Sequence, residues 1–221
     1  MSAGTSEGAE MLKEHGRVRV KATGLYGTIV DWRPGSDRCE VELDGWQRNA
    51  LPDEDDLFLR TFSLPDLDEL VEVSNAERKA VFESFDTLVI SAYQQRAFLR
   101  SPVVVIRREG AAVRASVNSW HFSRGFETKE MFLVESADVS KLLSAIFATH
   151  ADRWVERFEP NYGVLDGYSW TMNVYAGSRY FECVGDNYAP NELVDLLYAM
   201  HEVGLPLVWN DGEIVMPNVF E

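Results

Sequence analysis

Apolar and polar residues alternate with a period of two through Arg17, Val18, Arg19, Val20, Lys21 and Ala22, and again from Cys39 to Asp44. Side chains of a strand point to opposite faces at successive positions, so this pattern restricts the opening of the chain to half-buried β-strands. Val18, Val20 and Ala22 are expected on one face with Arg17, Arg19 and Lys21 on the other, and Cys39, Val41 and Leu43 are expected to oppose Glu40, Glu42 and Asp44. The basic and acidic outer faces would then lie across from each other and help select the register. Gly24, Gly27, Pro34-Gly35 and Asp44-Gly45 interrupt the alternation where tight turns are needed, so residues 16 to 46 predict a small barrel of short strands.

From Asp68 onward, strand-like and helix-like segments follow one another without regular β-α alternation, which predicts an α+β domain with a mostly antiparallel sheet and two or three helices. Ser74-Asn75-Ala76-Glu77 matches a capping box, with a short helix beginning there. Residues 86–120 contain three β-branched runs, with a hairpin turn at Glu109-Gly110, and read as a meander. MFLVES, residues 131–136, adds a strand before Ser136 or Asp138 opens a helix whose Val139, Leu142, Leu143, Ile146 and Phe147 share one face. WVERF, residues 154–158, continues or follows it. Residues 166–187 read as a hairpin turning at Ala176-Gly177-Ser178, with Tyr168, Trp170, Met172 and Val174 on its buried side. Residues 207–216 form a closing hairpin around Asp211-Gly212. Pro65 marks residues 61–67 as a connector. The expected organisation is therefore a tail over 1–10, a barrel over 11–60, the connector, and the α+β domain over 68–221.

The residues Val18, Val20, Gly24, Gly27, Ile29, Val30 and Val41-Glu42-Leu43 resemble an SH3-like barrel of the KOW type across roughly residues 12–60. That resemblance implies contact with RNA or with translation and transcription proteins. The segment departs from such use because it is net acidic and carries Asp53, Glu54, Asp55 and Asp56 where a phosphate groove requires cations. The acidic run also lacks the spacing of a calcium loop and reads as a solvated turn. Tyr26, Trp32 and Trp46 are candidates to line a partner pocket, against the commoner role of barrel core and rim.

In GDNYAPNELVDLLYAM, residues 185–200, Pro190 suits the first turn of a helix, Leu193, Leu196, Leu197 and Met200 recur at helical spacing, and Gly204 with Pro206 supplies the stop. Gly185 to Ala189 then reads as a strand-to-helix turn. Backbone N–H groups at such a helix start can hold an anion, but Asp186, Glu192 and Asp195 would repel one. With the leucines inward, Glu192, Asp195, Ala199 and Glu202 form an outward acidic stripe, either a solvated face or a docking face for a basic protein. Trp170, Gly185, Asn187 and Pro190 together resemble an element of small bacterial proteins of immunity (antitoxin-like) type, in which a Trp-bearing strand precedes a Gly-x-Asn-x-x-Pro turn and a Leu-rich helix.

Charge separates the function classes further. The chain has a formal net charge of -15, and residues 151–221 hold three basic and twelve acidic side chains, a balance that argues against nucleic acid and admits a basic protein partner. No secretory signal or membrane-spanning run is legible, so a cytoplasmic location is expected. Cys39 and Cys183 stand apart from any metal-binding spacing. Nucleophile elbow, phosphate loop, dinucleotide fingerprint and zinc helix are all absent, and His15, His121, His150 and His201 are scattered. The reading that follows is a non-catalytic interaction protein without cofactor or metal, possessing an acidic partner face at Glu192, Asp195 and Glu202 and aromatic contacts at Tyr26, Trp32 and Trp46. Within that class the sharper reading is an immunity protein that occludes a basic toxin. The alternatives are a KOW-type adaptor, or an enzyme in which His121 or carboxylates such as Glu156, Glu159 and Asp166 converge only in the fold.

Overall fold

The computed structural model describes residues 12, 15–44, 59–94, 101–121, 125–127, 132–154, 157–159, 168–205, 207–210 and 213–215. The chain divides into two compact units, Met1–Val71 and Glu72–Glu221. Together they make a mixed α+β protein with mostly antiparallel sheets and, among the described residues, three helices.

The first unit is a five-stranded antiparallel sheet built from β1 (Arg17–Val20), β2 (Tyr26–Trp32), β3 (Arg38–Leu43), β4 (Leu59–Ser63) and β5 (Leu67–Glu69), in the order β4-β3-β2-β1-β5. Among the described residues β4 and β5 are its two edges and do not pair with each other. Alternation places Val18, Val20, Ile29, Cys39, Val41 and Leu43 in one core with Leu25 and Leu67, while Trp32 and Phe62 pack partly buried against it. Gly27 lies opposite Val18 and Leu43. A Cβ there would stand 2.6 Å from both the Glu42 carbonyl oxygen and Val41 Cγ1, so only glycine lets β2 approach β3 this closely.

Three expectations for this region are corrected. β1 ends at Val20, and Ala22 sits exposed in the following turn. The basic face of β1 does not lie across from the acidic face of β3, because β2 runs between them; Arg17 instead reaches Asp44 through two hydrogen bonds of 2.5 and 2.7 Å, and Lys21 lies 3.5 Å from Asp68. Residues 61–67 are not a connector: they supply the end of β4, a 3-10 turn over Leu64–Asp66 and the first residue of β5. Pro65 occupies the start of that turn, where a missing N–H costs nothing, and Leu67 is buried in the core. The boundary between units accordingly falls inside the short strand β6 (Val71–Glu72).

The second unit places three helices, α1 (Arg78–Glu83), α2 (Ser136–Ala148) and α3 (Asn191–Glu202), over a larger sheet. Its central strands are β7 (Thr87–Gln94), β8 (Ser101–Glu109), β9 (Ala112–His121), β13 (Tyr168–Ala176) and β14 (Arg179–Asp186). Shorter pieces are β10 (Gly125–Glu127), β11 (Phe132–Leu133) and β12 (Arg157–Phe158), and β15 (Val208–Asn210) pairs with β16 (Glu213–Val215) as a separate hairpin. The sheet runs β10-β9-β8-β7-β13-β14-β12, with β11 also on β9; only the β12–β14 pair is parallel among the pairs described here. Leu88, Ile90, Val104, Ile106, Val117, Met172, Val174 and Phe181 form one buried face of the sheet and share a core with Val81, Phe82, Leu142, Ile146, Leu193, Leu196, Leu197 and Met200 from the helices. Val89, Val103 and Val105 are buried on the opposite face, which explains why β8 reads as an uninterrupted apolar run. Each aliphatic side chain so enclosed contributes about 1.5–3 kcal/mol relative to exposure, and this burial holds the helices to the sheet.

The capping sequence before α1 works only in part. The Glu77 carboxylate accepts the Ser74 backbone N–H at 3.2 Å, but the serine hydroxyl also donates to that carboxylate, at 2.8 Å, instead of capping the helix. The helix starts later, at Arg78. Glu77 is further bonded by Arg179, and the Ser74 hydrogen bonds, followed by that cation, hold its carboxyl below the usual range.

Candidate functional site

The strand-to-helix turn after β14 is organised by Trp170. Its indole N–H donates to the Tyr188 carbonyl at 2.8 Å, and the ring is buried between Trp154 and Phe158, at centroid distances of 6.1 and 5.7 Å. Phe158 in turn stacks on Tyr188 at 6.1 Å. Gly185 sits directly beneath the indole, where a Cβ would come within 2.3 Å of Nε1. Asn187 adopts φ +54°, a left-handed conformation that asparagine tolerates better than most residues. Arg157 is bonded by both Glu159 and Asp186. The turn is therefore packed from inside by aromatic rings. Pro190 stands at the N-cap, one position before the first helical turn predicted for it, and the helix closes with Gly204 at φ +94° and its N–H on the His201 carbonyl at 2.9 Å.

On α3, Leu193, Leu196, Leu197 and Met200 face the core while Glu192, Asp195 and Glu202 are exposed and Ala199 is half-buried. Two aromatic residues that the charge pattern did not single out are half-exposed nearby in the chain: Tyr198, on this face between Asp195 and Glu202, and Tyr188, two residues before the N-cap. Exposed large apolar or aromatic side chains are few among the described residues, being Leu59, Val71 and Leu133 besides these two tyrosines. Glu192 and Asp195 have no ion-pair partner among the described residues. Glu202 does: Lys141 of α2 reaches it at 2.7 Å, so the acidic stripe is in part a helix-to-helix tie.

The Lys141 hydrogen bond and charge, with a smaller contribution from His201, hold the Glu202 carboxyl below its ordinary value of 4.5. A carboxyl depressed on folding binds its proton more weakly than in the unfolded chain, so the pair contributes fully above the ordinary glutamate range and its contribution disappears as pH falls through the depressed value. Urea midpoints measured from pH 7 downward are expected to fall less for Glu202→Gln than for the wild type, and the difference is expected to shrink with added salt because the pair is exposed. Parallel acid limbs for the two proteins would refute the tie.

The aromatic candidates of the first unit separate. Tyr26 is 0% exposed in β2, with Arg19 over its ring at 5.8 Å, so it offers no surface to a partner; alternation sets it on the face of β2 opposite Ile29, and its burial comes from tertiary packing. Trp32 is half-buried and donates its indole N–H to the Ser36 carbonyl at 3.3 Å. Trp46 and the Asp53–Asp56 run lie outside the described residues, as do Glu156, Asp166 and the side chain of His121. Glu159 is exposed and engaged by Arg157. Among the described residues no group of three or more His, Cys, Asp or Glu side chains is arranged to hold a metal ion. Cys39 and Cys183 are both buried, and burial pushes the Cys39 thiol up.

A cleft of about 490 Å³ lies elsewhere on the second unit. Lys79, Phe82 and Glu83 of α1 form one side and Phe147 of α2 another, and the turn following α2 contributes His150, Asp152 and Arg153. Nothing in the local sequence marks these residues, because two distant segments, 79–83 and 147–153, meet there.

Fold and surface thus define a mixed α+β protein of two units, the second displaying an acidic, tyrosine-bearing helix face. No helix in the described residues is long and apolar enough to cross a membrane. Comparison with protein-family models, curated proteins and solved structures finds no match to this chain.

Proposed function

We propose that this chain is a non-catalytic interaction protein whose α3 face engages a basic protein partner, and that it acts as an immunity-type antidote by covering a basic toxin. The observation that carries this reading is the placement of the half-exposed Tyr198 on the α3 face that bears the exposed carboxylates of Glu192 and Asp195, with Tyr188 half-exposed just before the helix. Tyrosine is the side chain that interfaces favour, since it offers a large rigid surface with a polar end, and surrounding negative charge accelerates encounter with a cationic partner. Occlusion needs no cofactor.

The experiment is capture on the immobilised full-length chain from a lysate of the source cell, at low and high salt. A basic protein whose retention falls with salt, is lost with Glu192→Lys/Asp195→Lys/Tyr198→Ala, and whose toxicity is suppressed by the wild-type chain supports the reading. Equal retention by the triple variant sinks it.

The KOW-type adaptor remains the second reading, and strand order favours its fold: β5 returns through the 3-10 turn to lie beside β1, as a small SH3-like barrel requires. Two of its cations are already matched with carboxylates, Arg17 with Asp44 and Lys21 with Asp68, which leaves less positive charge for phosphate. Retention of RNA by the full chain, abolished by Lys21→Glu/Arg38→Glu, would favour this reading over the first.

A further inference from the structure

The turn after α2 presents an unusual carboxylate. The Asp152 side chain is only 9% exposed, yet no hydrogen bond reaches it among the described residues, and the nearest cation, Arg153 Nε, stands 3.9 Å away on a side chain that is 71% exposed. That separation exceeds hydrogen-bond reach. The Asp152 oxygens are not among the fully buried atoms left without a partner, so they keep some contact with solvent and are open to a donor arriving through the cleft. Asp152 lines the 490 Å³ cleft, within the size range of small-ligand sites. The apolar part of that cleft is Phe82 and Phe147, packed edge to face at 5.5 Å. Just before Asp152, His150 holds φ +50°, a sparsely populated conformation for a residue with a side chain.

We propose that this cleft binds an organic cation, an alkylguanidinium or alkylammonium group, whose N–H donors meet Asp152 while its apolar stem lies on Phe82 and Phe147. The carboxylate without a donor selects this class: of the two acids that line the cleft beside Lys79, His150 and Arg153, Glu83 is matched by Lys79 at 3.7 Å, while Asp152 accepts no hydrogen bond among the described residues. The same unit already uses this chemistry internally, with the Arg108 guanidinium 4.8 Å from the Phe85 ring centre and 6.0 Å from that of Phe147. A guanidinium fits a carboxylate through two parallel hydrogen bonds and also packs on aromatic surface, which makes it the stronger of the two cations. The site is independent of the α3 face and stands whether or not that face binds a partner.

The test is titration of the ¹⁵N-labelled full chain with n-butylguanidinium, n-butylammonium and, as the anion of matching length, butyrate. Both cations are expected to shift the amides of residues 147–154, and butyrate to leave them unmoved. Asp152→Asn is expected to weaken the cations about tenfold or more, the factor carried by one charge-assisted hydrogen bond. Arg153→Gln removes an exposed like charge without touching the core, so it is expected to tighten the cations; it decides the matter should Asp152→Asn not fold. The proposal is overturned by unchanged affinity in a folded Asp152→Asn, by weaker cation binding in Arg153→Gln, by butyrate binding in place of the cations, or by no shift from either cation. An acetylated, amidated Ala-Arg-Ala peptide separates the two sources of such a group. Tighter binding than butylguanidinium assigns the cleft to an arginine of a protein partner, and weaker binding assigns it to a free small cation.

Discussion

Gly185→Ala is expected to lower the urea midpoint of the second unit by an amount corresponding to about 2–3 kcal/mol, with the slope of the transition unchanged. The three atoms nearest the added methyl all belong to Trp170, at 2.3, 2.4 and 2.7 Å, far inside contact distance. The indole cannot swing away. Trp154 and Phe158 flank it, and its N–H is committed to the Tyr188 carbonyl. The strain must then pass into the β13–β14 pairing, where Trp170 and Gly185 stand directly opposite each other. An unchanged midpoint would mean that the indole does not rest on this glycine.

Trp170→Ala is expected to cost more, about 3–5 kcal/mol, because it removes the largest fully buried side chain among the described residues and takes the indole donor from the Tyr188 carbonyl. The pair also makes a sharper statement together than apart. Once the ring is gone, none of the three nearest obstacles to a methyl at 185 remains, so adding Gly185→Ala to Trp170→Ala is expected to cost almost nothing further. The double variant should therefore be more stable than the sum of the single losses predicts, by on the order of 2 kcal/mol. Strict additivity would show that the two residues act through different contacts.

The consequence reaches the acidic face. Tyr188 is positioned by Trp170 through its own carbonyl and by Phe158 through ring stacking, and the backbone it belongs to leads straight into α3. Rigid presentation lowers the ordering cost that a partner must overcome on binding. Substitutions beneath the turn are thus expected to weaken binding of the proposed partner together with stability.

The elements legible in the sequence are those written in short-range periodicity. The period of two in RVRV and CEVEL determined β1 and β3 and their inward valines, the β-branched runs of residues 86–120 determined the β7-β8-β9 meander, and the leucine spacing after Pro190 determined α3 and its buried side. Such patterns record whether a residue faces a core, because burial acts on each side chain along its own strand or helix. They do not record which element provides the other wall. Only the tertiary structure decided that residues 61–67 complete the first sheet, that Tyr26 is core, that Lys141 ties Glu202 across two helices, and that Gly185 is the seat of Trp170. The cleft at Asp152 belongs with these, since α1 meets the end of α2 and the turn that follows it from a distant part of the chain. Each is a contact between segments far apart in sequence, and a side chain's local pattern is the same whichever distant neighbour closes over it.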